Sequence, residues 1–337
     1  MSNCQSNCAA PVRVFFLGSG RLGLPVLARL AEADGIYLTG VATQPDRPSG
    51  RRRRLHPTPI GEYAETLGVP LLKPASVNTA LFLAHTAACR PEVVVVVAFG
   101  QLLRTDMLEA APFGCLNVHA SLLPRHRGAA PVNAAILCGD DQTGVSFMKL
   151  DAGLDTGPLY ETHAIGLAGT ETADGLEATL GELAAERIVD CVIAVCRQGL
   201  QAVPQAAEGV SYAPKLRKQD GALDWTLPAT VLERRVRGLL PWPRAYFYLQ
   251  HTGGGRRIQV IGATAAAVAD ATFLPGDVLV ANDDGLIIGC GDGALQIFRI
   301  IPEGGREMSV AQYLRGSPLS LPCRVADGTP ESDGRQK

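Results

Sequence analysis

The chain has no apolar run long enough to cross a bilayer. Its strongest such stretch, residues 93–98, is far shorter than the roughly 20 residues a membrane helix needs. No secretory leader is expected, because the first residues read Ser-Asn-Cys-Gln-Ser-Asn-Cys, polar where a signal peptide is apolar. A cytoplasmic location is therefore expected. Strong charge of one sign is absent. A net charge of −2 and a pI near 6.3 argue against bulk electrostatic capture of nucleic acid and leave room for a local basic patch. The nine cysteines show no paired metal-type spacing, and their odd number fits free thiols in a reducing compartment. Neither a Gly-x-Ser-x-Gly elbow nor a His-Glu-x-x-His helix occurs. Chemistry through a covalent serine intermediate or a metal is therefore not expected.

What is present is a chain of 337 residues, 47% apolar and 19% charged, enough for two domains with real cores. Residues 12–17 read as an apolar strand buried on both faces. Gly18-Ser-Gly20-Arg-Leu-Gly23 leads from it into a helix over 24–33. A strand at 37–43, a Pro- and Arg-rich loop at 44–59 and a helix at 60–67 follow. Then come a short strand at 70–73, a helix at 77–88, the valine strand at 93–98, a helix at 105–110 and a strand at 114–119. A helix at 132–137, strands at 144–150 and 157–164 and a long helix at 172–198 close this half.

Such alternation implies an α/β fold with a doubly wound, mainly parallel sheet, whose ligands sit beyond the carboxyl ends of the strands. The expected catalytic domain spans 11–198 and a linker 199–214, where Pro204, alanines and Gly209 change the composition. Beyond it, after the segment 232–238 and Pro241-Trp242-Pro243, five short strands at 245–249, 256–262, 276–281, 286–290 and 295–301 suggest a small barrel of OB type over 215–325. Residues 1–10 and 326–337 read as disordered polar tails.

The chemistry concentrates between Cys115 and Pro158. Leu116-Asn117-Val118-His119 alternates apolar and polar at a strand end, so Asn117 and His119 project from one face. An acidic, glycine-punctuated loop, Asp151-Ala-Gly-Leu-Asp155, follows and can deliver Asp155 toward that face. A lone histidine at a strand end is more often a satisfied polar residue; the flanking loops turn the balance to an active site. An amide, an imidazole and a carboxylate suit an acyl transfer in which a neutral amine attacks a carbonyl.

Two further motifs bear on function. Gly18-Ser-Gly20-Arg-Leu-Gly23 matches the dinucleotide fingerprint, which raises an NAD(P)-linked oxidoreductase as an alternative. Against it, Val41-Ala-Thr-Gln44 lacks the acidic residue that would hold a ribose hydroxyl. Arg51, Arg52, Arg53 and Arg54 sit with Arg47 in a loop bounded by glycine and proline. Such runs are usually solvated. Beside an active site they read as a clamp on a nucleic-acid backbone. Arg234, Arg235, Arg237, Arg244, Arg256 and Arg257 add only a moderate argument for RNA, because acids nearly balance them, and Trp242 and Tyr246 fit a core as well as a stacking platform.

Asn117-Val-His119-Ala-Ser-Leu-Leu-Pro124-Arg-His-Arg-Gly-Ala-Ala-Pro131, together with Leu150-Asp-Ala-Gly-Leu-Asp155-Thr-Gly157, closely resembles the folate-dependent formyltransferases. Thr43-Gln-Pro-Asp-Arg-Pro-Ser-Gly50-Arg51, Val97-Ala-Phe-Gly100, Ser211-Tyr-Ala-Pro-Lys215-Leu, Asp224-Trp225 and Pro241-Trp-Pro243 look like landmarks of the branch that acts on initiator methionyl-tRNA. The resemblance runs from about residue 12 to about 321.

It implies transfer of the formyl group of 10-formyltetrahydrofolate to the α-amine of methionyl initiator tRNA, with Asn117, His119 and Asp155 as the catalytic trio. It also implies a folate site lined by Ser121, Leu122, Leu123 and Pro124, helped by Phe99, Gly100, Leu102, Leu103 and Asp151. Arg51, with Arg47, Arg52, Arg53 and Arg54, would approach the tRNA acceptor end. Another formyltetrahydrofolate-dependent transferase or hydrolase, and a folate- or nucleotide-binding regulator without catalysis, stay open as alternatives. The first glycine loop departs from the family's usual Gly-Thr-Pro-Asp-Phe, and the arginine loop is more basic than usual. With no interface signal, a monomer is expected.

Overall fold

The computed structural model describes residues 10–49, 54–251, 254–267 and 273–326. The tails expected at 1–10 and 326–337 lie outside these, except Ala10 and Ala326, and so do Arg51, Arg52 and Arg53. In chain order the first elements are β1 (Val12–Gly18), α1 (Gly23–Glu32), β2 (Ile36–Ala42), β3 (Arg47–Ser49), β4 (Arg54–His56) and α2 (Pro59–Ala64). Next come β5 (Leu71–Leu72), α3 (Ala80–Ala88), β6 (Val93–Val97), α4 (Thr105–Leu108), β7 (Cys115–His119), β8 (Arg127–Gly128) and α5 (Pro131–Cys138). They are followed by β9 (Gln142–Lys149), β10 (Leu159–Gly166), α6 (Ala173–Arg197) and β11 (Tyr212–Ala213).

Their main sheet runs β10-β9-β7-β6-β1-β2-β5. The five strands from β7 to β5 are parallel, while β9 and β10 are antiparallel additions at the other edge. The expected mainly parallel α/β sheet is what forms. Five consecutive valines make β6, every one buried, because a central parallel strand is covered on both faces and β-branched chains fit the pleat. Phe15, Leu17, Val94 and Val96 pack on one face with Phe82 of α3 and Met107 of α4. On the other face α1 begins at Gly23, against Phe16 and Ile60. Burying each such side chain contributes about 1.5–3 kcal/mol. Strand order reverses between β1 and β6, so the turns after Gly18 and after Val97 flank the crevice where open α/β sheets bind ligands.

Within 44–59, expected as a loop, residues 47–49 and 54–56 form a two-stranded ribbon instead. Arg47, Pro48 and Ser49 pair antiparallel with His56, Leu55 and Arg54. A proline is tolerated there because neither strand continues into a wider sheet. Thr58 then caps α2, accepting a hydrogen bond from the Gly61 N–H at 2.9 Å, with Pro59 in the first helical position.

The C-terminal elements are a 3₁₀ turn (Lys218–Gly221), α7 (Ala229–Gly238), β12 (Ala245–His251), β13 (Gly254–Ala266), β14 (Val278–Asn282), β15 (Gly285–Gly289) and β16 (Ala294–Pro302). After them come β17 (Met308–Ser309), α8 (Val310–Gly316) and β18 (Val325–Ala326). The sheet runs β14-β15-β16-β13-β12-β18, with β17 on β16, entirely antiparallel. It curls into a half-barrel of the small OB-like kind. Its core includes Trp225 packed edge-on against Phe247, with ring centres 5.5 Å apart. Sequence reading missed α8, although Ser309 and Gln312 form a reciprocal capping box at its start and bury Val310 and Tyr313.

The described residues cluster into two compact units. One holds the chain up to Pro131, Gln142–Gly166 and Leu176–Pro214; the other holds Val132–Asp141, Leu167–Gly175 and the chain from Lys215. The stretch 199–214, read as a linker, is not free of structure: Val203 bridges to Leu159 and β11 pairs with β8.

Candidate active site

β7 ends at the carboxyl edge of the sheet, and its alternation puts Asn117 and His119 on one face about 7 Å apart along the strand. Both are nearly buried, at 8% and 6% exposure. His119 Nε2 lies 2.9 Å from the main-chain oxygen of His126. A carbonyl only accepts, so this nitrogen carries a hydrogen and the tautomer follows from the partner. Nδ1 faces Asp155 Oδ2 at 3.7 Å. That gap is too long for a direct hydrogen bond, yet an atom beside it can sit about 3 Å from both. Among the described residues, the Asn117 amide makes no hydrogen bond to the protein, so its N–H groups are available to a reactant.

Asp155 is held in place by the backbone around it. It adopts φ +52°, and its Oδ2 also accepts the Gly128 N–H at 2.8 Å. Its loop closes on itself through Asp151, whose carboxylate accepts from Thr156 Oγ1 at 2.9 Å and from the Gly153 N–H at 3.0 Å. Two residues of the 199–214 stretch complete the frame, and sequence reasoning missed one of them entirely. Gln205 Nε2 donates to the main-chain oxygens of Asp155 and Gly157, both at 2.8 Å, while its Oε1 accepts from Arg127 at 2.7 and 3.1 Å. Ser211, seen before only as part of a landmark, accepts the His126 N–H at 2.9 Å. Gln205 stands among residues that read as a linker, and no local pattern reveals a clamp made by one side chain.

The expected folate residues divide. Leu102 and Leu103 line a cleft of about 640 Å³ together with Ala75, Ser76, Gln101 and Ala152. Asn78 holds this turn, donating to the Leu102 carbonyl and accepting the Arg104 N–H, both at 2.8 Å. Gly100 turns the chain at φ +79°. Phe99, by contrast, has its ring in the core, so only its main chain faces the crevice. The Ser-Leu-Leu-Pro turn is largely committed internally. Ser121 is fully buried and its hydroxyl donates to the Arg125 carbonyl at 2.6 Å. Ser146 of β9 donates to the Ser121 carbonyl and accepts the Leu123 N–H. Leu123 is buried, Leu122 lies over Gly144, and Leu122 and Pro124 alone keep partial exposure. Asp151 is spent on closing its own loop.

Arg47 and Arg54 are exposed on the β3–β4 ribbon, and Arg51, Arg52 and Arg53 lie outside the described residues. In the C-terminal unit, Arg257 stacks over the buried Tyr246 at 3.8 Å, whereas Trp242 is 54% exposed. The dinucleotide alternative fails on geometry. Glu177 of α6 accepts the Leu22 N–H at 3.2 Å at the start of α1, the place a pyrophosphate would need, and its charge repels one.

A sequence model of the family described as formyl transferase matches residues 12–192, and one described as formyl transferase, C-terminal domain, matches 215–318. The methionyl-tRNA formyltransferase of Sinorhizobium fredii is 41% identical over 316 residues, covering 94% of this chain and 99% of that protein. Its counterpart in Myxococcus xanthus is 40% identical over 308 residues, covering 91% and 96%. Among solved structures, HypX from Aquifex aeolicus in complex with tetrahydrofolic acid aligns with a TM-score of 0.59 at 15% identity, covering 90% of this chain and 47% of that one. Methionyl-tRNA formyltransferase from Clostridium thermocellum aligns with a TM-score of 0.52 at 15% identity, covering 75% and 93%. At those identities the structures speak for the fold alone.

Proposed function

The chain belongs to the formyl transferase family, and we propose that it moves the formyl group of 10-formyltetrahydrofolate to the α-amine of methionine on initiator tRNA. The observation that carries this reading is His119 facing the Asp155 carboxylate across 3.7 Å, with Asn117 two residues back on the same strand. Similarity over nearly the full length of methionyl-tRNA formyltransferases, C-terminal domain included, supports the tRNA substrate.

In this mechanism the neutral amine attacks the formyl carbon, and negative charge builds on the formyl oxygen. Asn117 donates an N–H to that oxygen. His119, carried as the imidazolium beside the Asp155 carboxylate, donates from Nδ1, because its Nε2–H is already engaged by the His126 carbonyl. One such donor is worth about 3 kcal/mol, or roughly a hundredfold in rate. Asp155 takes the proton released as the amine nitrogen bonds to carbon. The bond from carbon to N10 then breaks, and that proton leaves with N10 of the folate. The cleft walled by Leu102 and Leu103 receives the folate, the arginines Arg47, Arg51, Arg52, Arg53 and Arg54 meet the acceptor end, and the C-terminal domain holds the tRNA body.

The test is one incubation of the protein with 10-formyltetrahydrofolate labelled in its formyl carbon and methionyl initiator tRNA, with glycinamide ribonucleotide as a competing amine. Labelled formylmethionine on the tRNA is expected. Label found on the competitor or released as formate, with none on the tRNA, overturns the reading.

A further inference from the structure

The Gly18–Gly23 turn and the root of the arginine ribbon have no part in the mechanism, yet they meet at one atom, the main-chain oxygen of Phe99. Ser19 Oγ donates to it at 3.2 Å and Gln44 Nε2 at 3.1 Å. The same Gln44 uses its other amide atom, Oε1, to accept from Arg47 at 2.9 Å, and its main-chain N–H donates to Ser19 Oγ at 3.1 Å. Thr43 closes the ring: its hydroxyl reaches Ser19 Oγ at 3.4 Å and Thr58 Oγ1 at 2.5 Å. Thr43 precedes the ribbon and Thr58 follows it, so this hydroxyl pair ties its two ends together.

The oxygen so gripped belongs to the turn that walls the cleft. Ala98, just before it, holds φ +45° and Gly100, just after it, φ +79°. An alanine in the left-handed region persists only where its surroundings over-determine the chain. Two side-chain donors on the next carbonyl are such a determinant. Both turns leave neighbouring parallel strands, β1 and β6, at the point where strand order reverses.

We propose that Gln44 is a positioning residue for this formyl transfer. Its amide N–H fixes the Phe99 turn in the shape that receives the folate, and its amide oxygen ties that turn to Arg47 on the ribbon. This rests on the proposed reaction. Folate affinity then depends on Arg47, a residue that faces the other substrate. Ser19 replaces a nucleotide phosphate as the reason for the glycine-flanked turn: it is there to hold the Phe99 carbonyl.

The experiment measures binding of 5-formyltetrahydrofolate by calorimetry, together with kcat and both KM values, in wild type, Gln44→Ala, Gln44→Glu, Arg47→Ala and the Gln44→Ala/Arg47→Ala pair. Gln44→Glu keeps the acceptor for Arg47 and removes the donor to Phe99. It is expected to raise the folate Kd and KM about tenfold while kcat changes by no more than about threefold, the size of one lost hydrogen bond. Arg47→Ala should raise the folate Kd by about threefold, and the pair should be no worse than Gln44→Ala alone, because both act through one amide. A Gln44→Glu protein within about twofold of wild type in folate Kd overturns the proposal, and so do multiplicative effects in the pair. If Gln44 variants fail to fold, Ser19→Ala removes the second donor on the same oxygen, and an unchanged folate Kd there has the same force. A wild type that binds the folate but formylates no tRNA defeats the reaction, while the binding arm still decides the role of Gln44.

Discussion

His119 and His126 are joined side chain to main chain, Nε2 to carbonyl oxygen at 2.9 Å, so the ring offers Nδ1 alone to whatever enters between it and Asp155. One donor nitrogen, one amide and one carboxylate therefore divide the work. Asn117→Ala, His119→Ala and Asp155→Ala should each lower kcat at least about a hundredfold, with thermal midpoints within about 3 °C of wild type. Single-turnover assays paired with melts check this. A His119→Ala enzyme at near-normal rate removes the histidine from the chemistry.

Gln205 touches the Asp155 loop only through main-chain oxygens, yet it bridges that loop to Arg127. Gln205→Ala should let Asp155 wander, lowering kcat about tenfold while both KM values stay within about threefold, since mispositioning by a fraction of an ångström weakens the transition state first. Steady-state kinetics decide it. A pure KM effect assigns Gln205 to substrate binding instead.

The sheet was legible because its strands carry their own signal. Five β-branched valines with no polar residue read as a central strand covered on both faces, and Asn117 with His119 at alternate positions in β7 announces a shared face. Less legible was everything fixed by one long-range bond. The ribbon of 47–49 and 54–56 hid behind proline and arginine, because the hydroxyl contact of Thr43 with Thr58 that closes its base leaves no alternating pattern in the sequence. Ser121 looked available to a ligand, since nothing local reveals that Ser146, 25 residues on, claims its carbonyl. The acceptor for its own hydroxyl, at Arg125, is equally silent in sequence.

Arg51, which lies outside the described residues, is the arginine that the family resemblance assigns to the acceptor end of the tRNA. Arg51→Ala should raise KM for methionyl-tRNA about tenfold, the worth of one charge-assisted phosphate contact, and leave the folate Kd within about twofold. Its effect should also shrink in high salt. Equal loss of both substrates contradicts the assignment, and the contrast with Arg47→Ala separates a contact residue from one wired to the folate turn.

Glu92 anchors the end of α6 to β1 away from the crevice. Its carboxylate meets Arg197 at 2.8 and 3.1 Å and the Arg13 N–H at 3.0 Å. The Arg197 guanidinium holds this carboxyl below its usual value of 4.5, with the Arg13 N–H adding to the effect against the opposing cost of burial. A depressed folded-state pKa gives stability that is present above the unfolded value and lost as pH falls through the folded one. Glu92→Gln should thus destabilise by about 1 kcal/mol at neutral pH, and its gap from wild type should close below about pH 4.5. Paired melts from pH 7 to 3.5 test this; a gap that widens on acidification reverses the sign and refutes it.

Gly128 stands where the catalytic loop, β8 and β11 converge, and it has two reasons to be glycine. Its φ is +121°, and a Cβ there would come within 2.6 Å of the Ala213 carbonyl oxygen. Its N–H also donates to the Asp155 carboxylate at 2.8 Å. An alanine cannot relieve the clash without moving the β8–β11 pair, and moving it withdraws the donor from Asp155. Gly128→Ala should therefore lower stability by about 1–3 kcal/mol and kcat at least about tenfold, with the rate loss persisting at temperatures where the variant is fully folded. Gln205→Ala combined with it should cost little further activity, because both changes free the same carboxylate. A folded Gly128→Ala enzyme with wild-type kcat would show that Asp155 keeps its place without this N–H, on the Gln205 and Asp151 contacts.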